Sequence, residues 1–345
     1  MSNRDVYFIS LSKSIEIIKS FKNKKVAVIG DSMLDSWIWG KVSRISPEAP
    51  VPVVDVDHLS YTPGGAANVV NNITGLGANV AVFTITGDDE NGVKLSSELS
   101  NRGVDISGII KDKNRPTTTK TRIMAGSQQL CRIDTENKKP VSDEISEVLL
   151  KTILDSVKNF DILVLSDYNK GLFKKEFVDS LISNASLAGV NTIVGPKPAN
   201  MHIFKGAKLM TLNEKEAREA SKNFDSSVPI EEVGQKLKND LSLDSLLVTR
   251  GDKGMVLFEK DEEPFSIPAL ASEVYDVSGA GDTVLSVASL AIASGASLKD
   301  SIVLANFAAA VVVKKVGTAT LTPSELIDVI EYRKENFSYR EVCKI

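Results

Sequence analysis

Cysteine and histidine are scarce in this chain. Its 345 residues include two cysteines, Cys131 and Cys343, and two histidines, His58 and His202. They lie far apart, without the spacing of metal ligands, which argues against a zinc site. Two distant cysteines are also typical of a reducing compartment, so we expect a cytoplasmic protein rather than a disulfide-stabilised one.

Long hydrophobic runs and an excess of positive charge are missing as well. No stretch approaches roughly eighteen uninterrupted apolar residues, and the polar N-terminus lacks a signal-peptide core, so we expect no membrane association. The formal net charge of −4 argues against a nucleic-acid partner. With 42% hydrophobic and 25% charged residues, the composition is that of a globular protein with a sizeable core.

Short β-branched runs alternate with helical patterns along most of the chain. This alternation predicts an α/β fold whose mostly parallel central sheet is covered by helices on both faces. The predicted strands are Val26–Ile29, Val80–Ile85, Ile162–Leu165, Thr192–Val194, Leu209–Leu212 and Leu246–Val248. The predicted helices are Ala66–Leu76, Gly92–Asn101, Glu144–Val157, Lys175–Ala188, Ile230–Leu241, Val284–Ile292 and one that contains Phe307–Val313. Ligands of such sheets bind beyond the carboxyl ends of the strands.

Two segments break the alternation. Pro50–Val56 alternates as a strand after the polar stretch Ser43–Pro47, and the runs Thr117–Met124 and Gln129–Asp134 predict a hairpin. Because neither segment has its own helix, we expect a small projecting β-sheet on a single domain of residues 1–345, with lid segments at about 41–57 and 115–136. Such a lid can close over a ligand and exclude water. An edge used in dimer packing is an alternative that is compatible with it.

Residues 276–283, Asp-Val-Ser-Gly-Ala-Gly-Asp-Thr, are the most informative stretch and precede an apolar helical pattern. The small residues Gly279, Ala280 and Gly281 let the backbone turn, so that its N–H groups point one way at a helix N-terminus. This arrangement suits a phosphoryl group, and Asp282 at its edge can accept a proton from an attacking alcohol. The alternative is a glycine-rich turn with Asp282 as a helix cap.

Two further polar motifs follow the carboxyl end of the first predicted strand and precede a predicted helix. Asp31 and Asp35 suit vicinal sugar hydroxyls, or serve as turn and capping acids. Gly64 and Gly65 allow a ligand close to the backbone, and the Asn68 amide can both donate to and accept from hydroxyl groups. An ordinary helix start explains this second motif equally well.

Two motifs suit the phosphate end of a nucleotide. Asn213 and Glu216 share one face of a first helical turn, where their oxygens suit hydrated Mg²⁺. A glutamate at that position also complements the helix dipole, which is the simpler interpretation of this motif alone. Thr249 and Gly251 follow another strand, in a turn that admits phosphates or simply closes a hairpin.

Basic side chains lie on the predicted lid. Lys120, Arg122 and Arg132 stand beside Gln129 and Asp134. On a strand, such side chains usually face solvent. On a flap over a sugar they can instead grip a phosphate that the substrate already carries.

Taken together, these motifs resemble those of the ribokinase-like (PfkB) family of sugar kinases, over about residues 24–330. The resemblance implies a three-layer fold with a β-sheet lid and ATP-dependent phosphorylation of a sugar hydroxyl. It implies Asp282 as the catalytic base and the backbone of 279–281 as the anion hole. The other implied roles are sugar binding by Asp35, Gly64, Gly65 and Asn68, organisation of Mg²⁺ largely through water by Asn213 and Glu216, and a potassium site, found in some members, near Asp276.

A narrower resemblance is to the heptose 7-phosphate kinases, which make heptose 1,7-bisphosphate on the route to nucleotide-activated heptoses. Segments 30–35, 43–53, 63–69, 119–122, 128–134, 165–171 and 274–277 carry this resemblance. It extends the expected substrate contacts to Asp31, Lys120, Arg122, Gln129, Arg132 and Asp167. The expected nucleotide contacts are Lys197, Asn213, Glu216, Thr249, Gly251 and Asn306.

The chain departs from the resemblance at one position. Relatives carry an acidic residue before Pro-Lys, whereas this chain has Gly195 before Pro196 and Lys197. The missing carboxylate affects metal affinity or rate more than reaction type. Several relatives also carry a nucleotidyltransferase domain behind the kinase, and this chain stops about where it would begin, so the resemblance implies a stand-alone kinase.

The resulting hypothesis is a cytoplasmic, Mg²⁺-dependent kinase that transfers the γ-phosphoryl group of ATP to the anomeric hydroxyl of D-glycero-D-manno-heptose 7-phosphate. We also expect a homodimer formed through the lid. One alternative is a ribokinase-like kinase of another sugar or sugar phosphate. A second is a catalytically weak sugar-nucleotide binding protein, which only Gly195 favours.

Overall fold

A computed structural model describes residues 9–223, 225, 227–271 and 273–336, so Cys343 lies outside the described residues. The strands are β1 (Lys25–Gly30), β2 (Ser32–Ile45), β3 (Pro52–Gly65), β4 (Asn79–Gly87), β5 (Asp105–Asp112), β6 (Thr119–Ala125), β7 (Gln128–Thr135), β8 (Ile162–Ser166), β9 (Asn191–Gly195), β10 (Leu209–Asn213), β11 (Ser245–Thr249), β12 (Met255–Glu259) and β13 (Phe265–Ile267). The α-helices are α1 (Leu11–Ser20), α2 (Ala66–Gly75), α3 (Glu90–Ser100), α4 (Asp143–Ser156), α5 (Lys175–Leu187), α6 (Glu214–Ala220), α7 (Ile230–Asp240), α8 (Ala280–Ala293), α9 (Leu298–Val312) and α10 (Pro323–Asn336).

The central sheet has nine strands in the order β13-β12-β11-β10-β9-β8-β1-β4-β5. Neighbours from β11 to β5 are parallel, and β12 and β13 add an antiparallel edge. The predicted mostly parallel α/β sheet is therefore confirmed. The direction of winding reverses between β1 and β8, and such a switch point opens a crevice at the carboxyl ends of the strands.

Alternate residues of the central strands are buried against opposite layers of helices. In β1, Val26 and Val28 join one apolar cluster, whereas Ala27 and Ile29 join the other. The first cluster includes side chains of α1, α2, α3, α8, α9 and α10, and the second includes side chains of α4, α5, α6 and α7. Because both faces are covered, these strands are continuous apolar runs rather than alternating ones.

Helix α8 is apolar on all sides and is buried along most of its length. Residues 283–291 are all buried, in contact with α2, α9 and the sheet. A helix without a polar face is stable only when it is enclosed in this way. The N-terminus of α8 is thereby fixed beside the carboxyl ends of the central strands.

The second sheet has four strands in the order β3-β2-β6-β7, with β2 and β6 parallel and the other pairs antiparallel. Strands β2 and β3 each contain 14 residues and extend well beyond the predicted lid segment 41–57. The prediction was wrong here because pairing with β3 and β6 keeps the polar residues from Ser32 onward extended. As a result, β2 follows β1 directly and β3 runs to Gly65, immediately before α2.

The sequence patterns also missed short or peripheral elements, namely β5, β12, β13, α1 and α10, whereas the helical turn expected at Asn213 and Glu216 is the start of α6. Within the described part of the chain, no helix combines the length and hydrophobicity needed to cross a bilayer.

Candidate active site

Asp282 lies in the first turn of α8, and both of its carboxylate oxygens accept hydrogen bonds. Nδ2 of Asn68 donates to Oδ2 at 2.7 Å, and the hydroxyl of Tyr168 donates to Oδ1 at 2.8 Å. Burial raises the pKa of Asp282, and these two hydrogen bonds partly oppose the rise. The carboxylate is thus fixed in orientation and more basic than an ordinary aspartate, as a general base requires.

The backbone that precedes Asp282 forms an open helix start. Gly279 caps α8 with a φ of 79°, in the left-handed region, and a Cβ there would lie 2.9 Å from Nδ2 of Asn68. The Ala280 amide donates to the carbonyl of Val277 at 3.2 Å, so it is already engaged. Amides at 281 and 282 belong to a first turn, which has no intrahelical acceptors for them, and Gly279 brings no capping side chain.

A cavity of about 160 Å³ opens beside Asp282, at the carboxyl ends of β8 to β11. Its floor therefore comes from four neighbouring strands and its wall from the N-terminus of α8. The predicted site residues that line it are Asp167, Lys197, Asn213, Glu216, Thr249, Gly279, Gly281 and Asp282, and the others are Ser166, Tyr168, Gly195, Pro196, Thr211, Leu212, Val284 and Leu285.

Asn213 and Glu216 form a reciprocal capping box at the start of α6. Oδ1 of Asn213 accepts from the Glu216 amide at 2.8 Å, and Oε2 of Glu216 accepts from the Asn213 amide at 3.0 Å. The other carboxylate oxygen, Oε1, pairs with Nζ of Lys197 at 2.7 Å. Both expected metal residues therefore stabilise the helix start and face the cavity at the same time.

These residues fit a hydrated magnesium ion better than a bare one. Among the described residues, no group of three or more histidine, cysteine or acidic side chains is placed to hold a metal ion. Mg²⁺ keeps several of its waters and often binds through one carboxylate together with substrate phosphates. Glu216 offers one such carboxylate at the edge of the cavity.

Asp31 and Asp167 are buried under the turn that follows β8. Oδ2 of Asp31 accepts from the amides of Tyr168 and Lys170, each at 3.0 Å. Burial raises the pKa of Asp31 to about 6 and also raises the pKa of Asp167. Both are predicted sugar ligands. Asp31 also organises the turn, and Asp167 binds the backbone amides of Asn169 and Lys197 while it lines the cavity.

Asp35 lies on the lid, in the half of β2 that pairs with the end of β3 near Gly64 and Gly65. Its Oδ1 pairs with Nη1 of Arg122 at 2.7 Å, and the Arg122 guanidinium stacks over the Trp37 ring at 5.0 Å. A Cβ at Gly64 would collide with the carboxylate of Asp35, so only glycine lets this acid approach the backbone of β3. The predicted residues Asp35, Gly64 and Arg122 are therefore in one place, next to Gly65.

The other lid cations share one carboxylate. Arg132 donates to both oxygens of Asp134, at 2.7 and 2.9 Å, and Nζ of Lys120 lies 3.3 Å from Oδ2. The pKa of Asp134 is lowered by this partnership with Arg132 first and Lys120 second. Gln129, further along the same face, is exposed.

Three predicted ligand residues, Asn306, Gly251 and Asp276, do not line the cavity and have a structural role elsewhere. Asn306 on α9 donates to the carbonyl of Pro268 at 2.8 Å and does not line the cavity. Gly251 starts the turn that closes the β11–β12 hairpin, the simpler of its two interpretations. The carboxylate of Asp276 accepts from the amides of Ser278 and Gly317, at 2.8 and 2.9 Å, so it joins two loops.

Tyr168 and Trp37 were given no role from the sequence, although both contact predicted residues. Tyr168 directly follows Asp167 at the end of a predicted strand, and this position was the available signal. Trp37 had no such signal, because its contact with Arg122 arises from the pairing of β2 with β6.

Comparison with known proteins agrees with this geometry. The model of the pfkB family carbohydrate kinases matches residues 23–325. The chain belongs to this family. It is therefore a carbohydrate kinase, a phosphotransferase that acts on sugar hydroxyls.

Curated relatives include the bifunctional protein HldE of Desulfatibacillum aliphaticivorans, 43% identical over 310 residues, which are 90% of this chain and 63% of that protein. HldE of Geotalea uraniireducens is 42% identical over 304 residues, 88% of this chain and 62% of that protein. The chain thus spans less than two thirds of the length of these relatives.

Solved structures with the same fold include phosphofructokinase-2 from Escherichia coli in complex with potassium, with a TM-score of 0.72 and 20% identity over 90% of this chain and 98% of that one. Ribokinase from Arabidopsis thaliana, complexed with ribose and ATP, has a TM-score of 0.70 and 19% identity over 91% of this chain and 99% of that one. At these identities, the likeness concerns the fold alone.

Proposed function

We propose that this protein phosphorylates the anomeric hydroxyl of D-glycero-D-manno-heptose 7-phosphate with ATP and releases heptose 1,7-bisphosphate and ADP. The observation that carries the chemistry is the Asp282 carboxylate, held by Asn68 and Tyr168 at the open end of α8. The similarity to HldE proteins, together with the cationic lid, supports the heptose phosphate as the acceptor.

In the proposed reaction, Asp282 takes the proton of the sugar hydroxyl as its oxygen attacks the γ-phosphorus atom. The bond from that phosphorus to the bridging oxygen breaks, and ADP leaves. The amides of residues 281 and 282 at the start of α8 would face the charge that develops on the transferred group. Lys197, which also lines the cavity, adds a positive charge there.

Carbohydrate kinases of this family use ATP and Mg²⁺. We propose Glu216, with Asn213 beside it, as the residues that hold the ion through its waters. The ion would neutralise phosphate charge. Gly195 adds no carboxylate to this wall, so Glu216 and Asp167 are the acidic side chains of the cavity besides Asp282.

We also propose that potassium binds at the turn that contains Asp276. An assay in sodium and in potassium buffers tests this proposal, because a potassium site predicts a higher rate in potassium.

The lid supports a substrate that already carries a phosphate. Asp35, Lys120 and Asp134 form one row across β2, β6 and β7, and Trp37, Arg122 and Arg132 form the next row. Residues in register share a face of the sheet. This face carries three cations and two carboxylates, so its net charge is one positive charge. The phosphate of a sugar phosphate can replace the Asp134 carboxylate as the partner of Lys120 and Arg132.

The opposite face of the lid supports pairing with a second copy of this chain. Leu59, Ile38 and Ile123 form a row across β3, β2 and β6, and Leu59 and Ile133 are each 51% exposed. Exposed apolar side chains in rows are typical of an interface. We expect sedimentation equilibrium to give a dimer for the wild type and a monomer for Ile133→Lys. A monomeric wild type would refute the lid dimer.

A coupled assay of ADP release, over a panel of sugars and sugar phosphates, tests the proposed function. We expect the highest kcat/KM with heptose 7-phosphate, and ³¹P NMR of the product should give a new anomeric phosphate. A higher kcat/KM on another acceptor would favour a kinase of that sugar. No turnover on any sugar, with ATP still bound in calorimetry, would favour a sugar-nucleotide binding protein.

A further inference from the structure

Tyr168 connects two sides of the cavity. Its hydroxyl donates to Oδ1 of Asp282 at 2.8 Å, and Nζ of Lys197 lies 5.2 Å from the centre of its ring. Lys197 in turn pairs with Glu216 at 2.7 Å. One side chain therefore contacts the proposed base and packs against the cation of the phosphate-binding wall.

The turn that carries Tyr168 is held at several points. Asp31, at the end of β1, binds the amides of Tyr168 and Lys170, and Asp167, at the end of β8, binds the amide of Asn169 at 2.7 Å. Asn169 has a φ of 55°, a left-handed conformation that is uncommon for residues other than glycine. Two buried carboxylates are costly in a turn whose position is unimportant.

The hydroxyl of Tyr168 is also the only uncharged donor to Oδ1 of Asp282 among the described hydrogen bonds. A neutral donor fixes the carboxylate without cancelling its charge, so the base remains free to accept a proton from its substrate. The charged groups around Asp282 are Lys197, which favours its ionised form, and Glu216, which opposes it; Asp35 faces Tyr168 from the lid.

We propose that Tyr168 is a positioning residue for phosphoryl transfer, whose hydroxyl orients the Asp282 carboxylate and stabilises its negative charge. The proposal rests on the proposed role of Asp282 as the base. Tyr168 itself does not exchange a proton with the substrate; it acts through Asp282.

The test is the pH profile of kcat for the wild type and for Tyr168→Phe, which keeps the ring, its contact with Lys197 and the turn. Loss of a hydrogen bond to the ionised form raises the pKa of Asp282, so the acid limb of kcat should move up by about one pH unit. At neutral pH kcat should fall by roughly tenfold, while KM for ATP stays constant. Tyr61→Phe is the matched control, since it loses a hydroxyl contact with Lys94 away from the site, and should leave both values unchanged.

A second variant, with 3-fluorotyrosine at position 168, covers the case in which Tyr168→Phe does not fold. Its more acidic phenol donates more strongly, so the acid limb should move to lower pH than in the wild type. An acid limb that stays in place in both variants would overturn the proposal and leave Tyr168 a structural residue. Full turnover in Asp282→Asn would be a separate failure, that of the proposed mechanism itself.

Discussion

The helix start at Asp282 and the lid face that carries Asp35 and Arg132 differ in how their charged groups are held. Asp282 is held by two neutral donors, the amide of Asn68 and the hydroxyl of Tyr168. On the lid, Arg122 is held by Asp35, and Lys120 and Arg132 by Asp134. Among its described hydrogen-bond partners Asp282 has no cation, whereas each of the three lid cations is paired with an acid of the lid.

This difference indicates a division of labour. Neutral donors on a buried carboxylate preorganise a base, so changes there should affect the chemical step. Ion pairs on a partly exposed lid contribute little to stability and can be exchanged for a ligand's charge, so changes there should affect selection of the substrate. The following variants test whether the two effects can be separated.

Removal of the base should have the largest effect. Asp282→Asn keeps the shape of the side chain but cannot accept the hydroxyl proton, so kcat should fall by about 10²- to 10⁴-fold. ATP binding, measured by calorimetry, should persist because the amides and Lys197 remain. Asp328→Asn, at an exposed position on α10, is the matched control and should retain wild-type kcat.

Removal of one lid cation should have a smaller and more selective effect. Arg132→Gln loses a charge-assisted contact, so KM for heptose 7-phosphate should rise by about 10- to 100-fold while kcat changes little. KM for the unphosphorylated sugar should stay the same. Arg44→Gln, on the same sheet but paired with Asp55 at 3.5 Å near its far end, is the control. An equal rise of KM for both sugars would mean that the lid does not recognise the phosphate.

The sequence was sufficient for the parallel sheet and for most of its helices. Apolar runs such as Ile162–Leu165 and Leu246–Val248 have no polar face, so only a strand enclosed by helices accommodates them. The residues around the cavity were also recognisable, because they follow the carboxyl ends of strands that the topology brings to one edge.

Long-range pairing was less accessible to sequence patterns. Strand β2 continues through polar residues because its partners β3 and β6 hold it, and neither partner is close in sequence to its first half. For the same reason the position of Tyr168 at a strand end could not indicate its contact with Asp282, which is 114 residues away. The bonds from Asp31 to backbone amides 137 and 139 residues away could not be predicted for the same reason.

The most direct test of the account is the ratio of kcat/KM for heptose 7-phosphate to that for the unphosphorylated heptose, measured in the wild type, Arg132→Gln and Asp282→Asn. We predict a high ratio in the wild type, a ratio reduced by about tenfold or more in Arg132→Gln, and an unchanged ratio at much lower turnover in Asp282→Asn. A wild-type ratio near one, or an equal loss on both sugars in Arg132→Gln, would contradict the separation of chemistry from phosphate recognition.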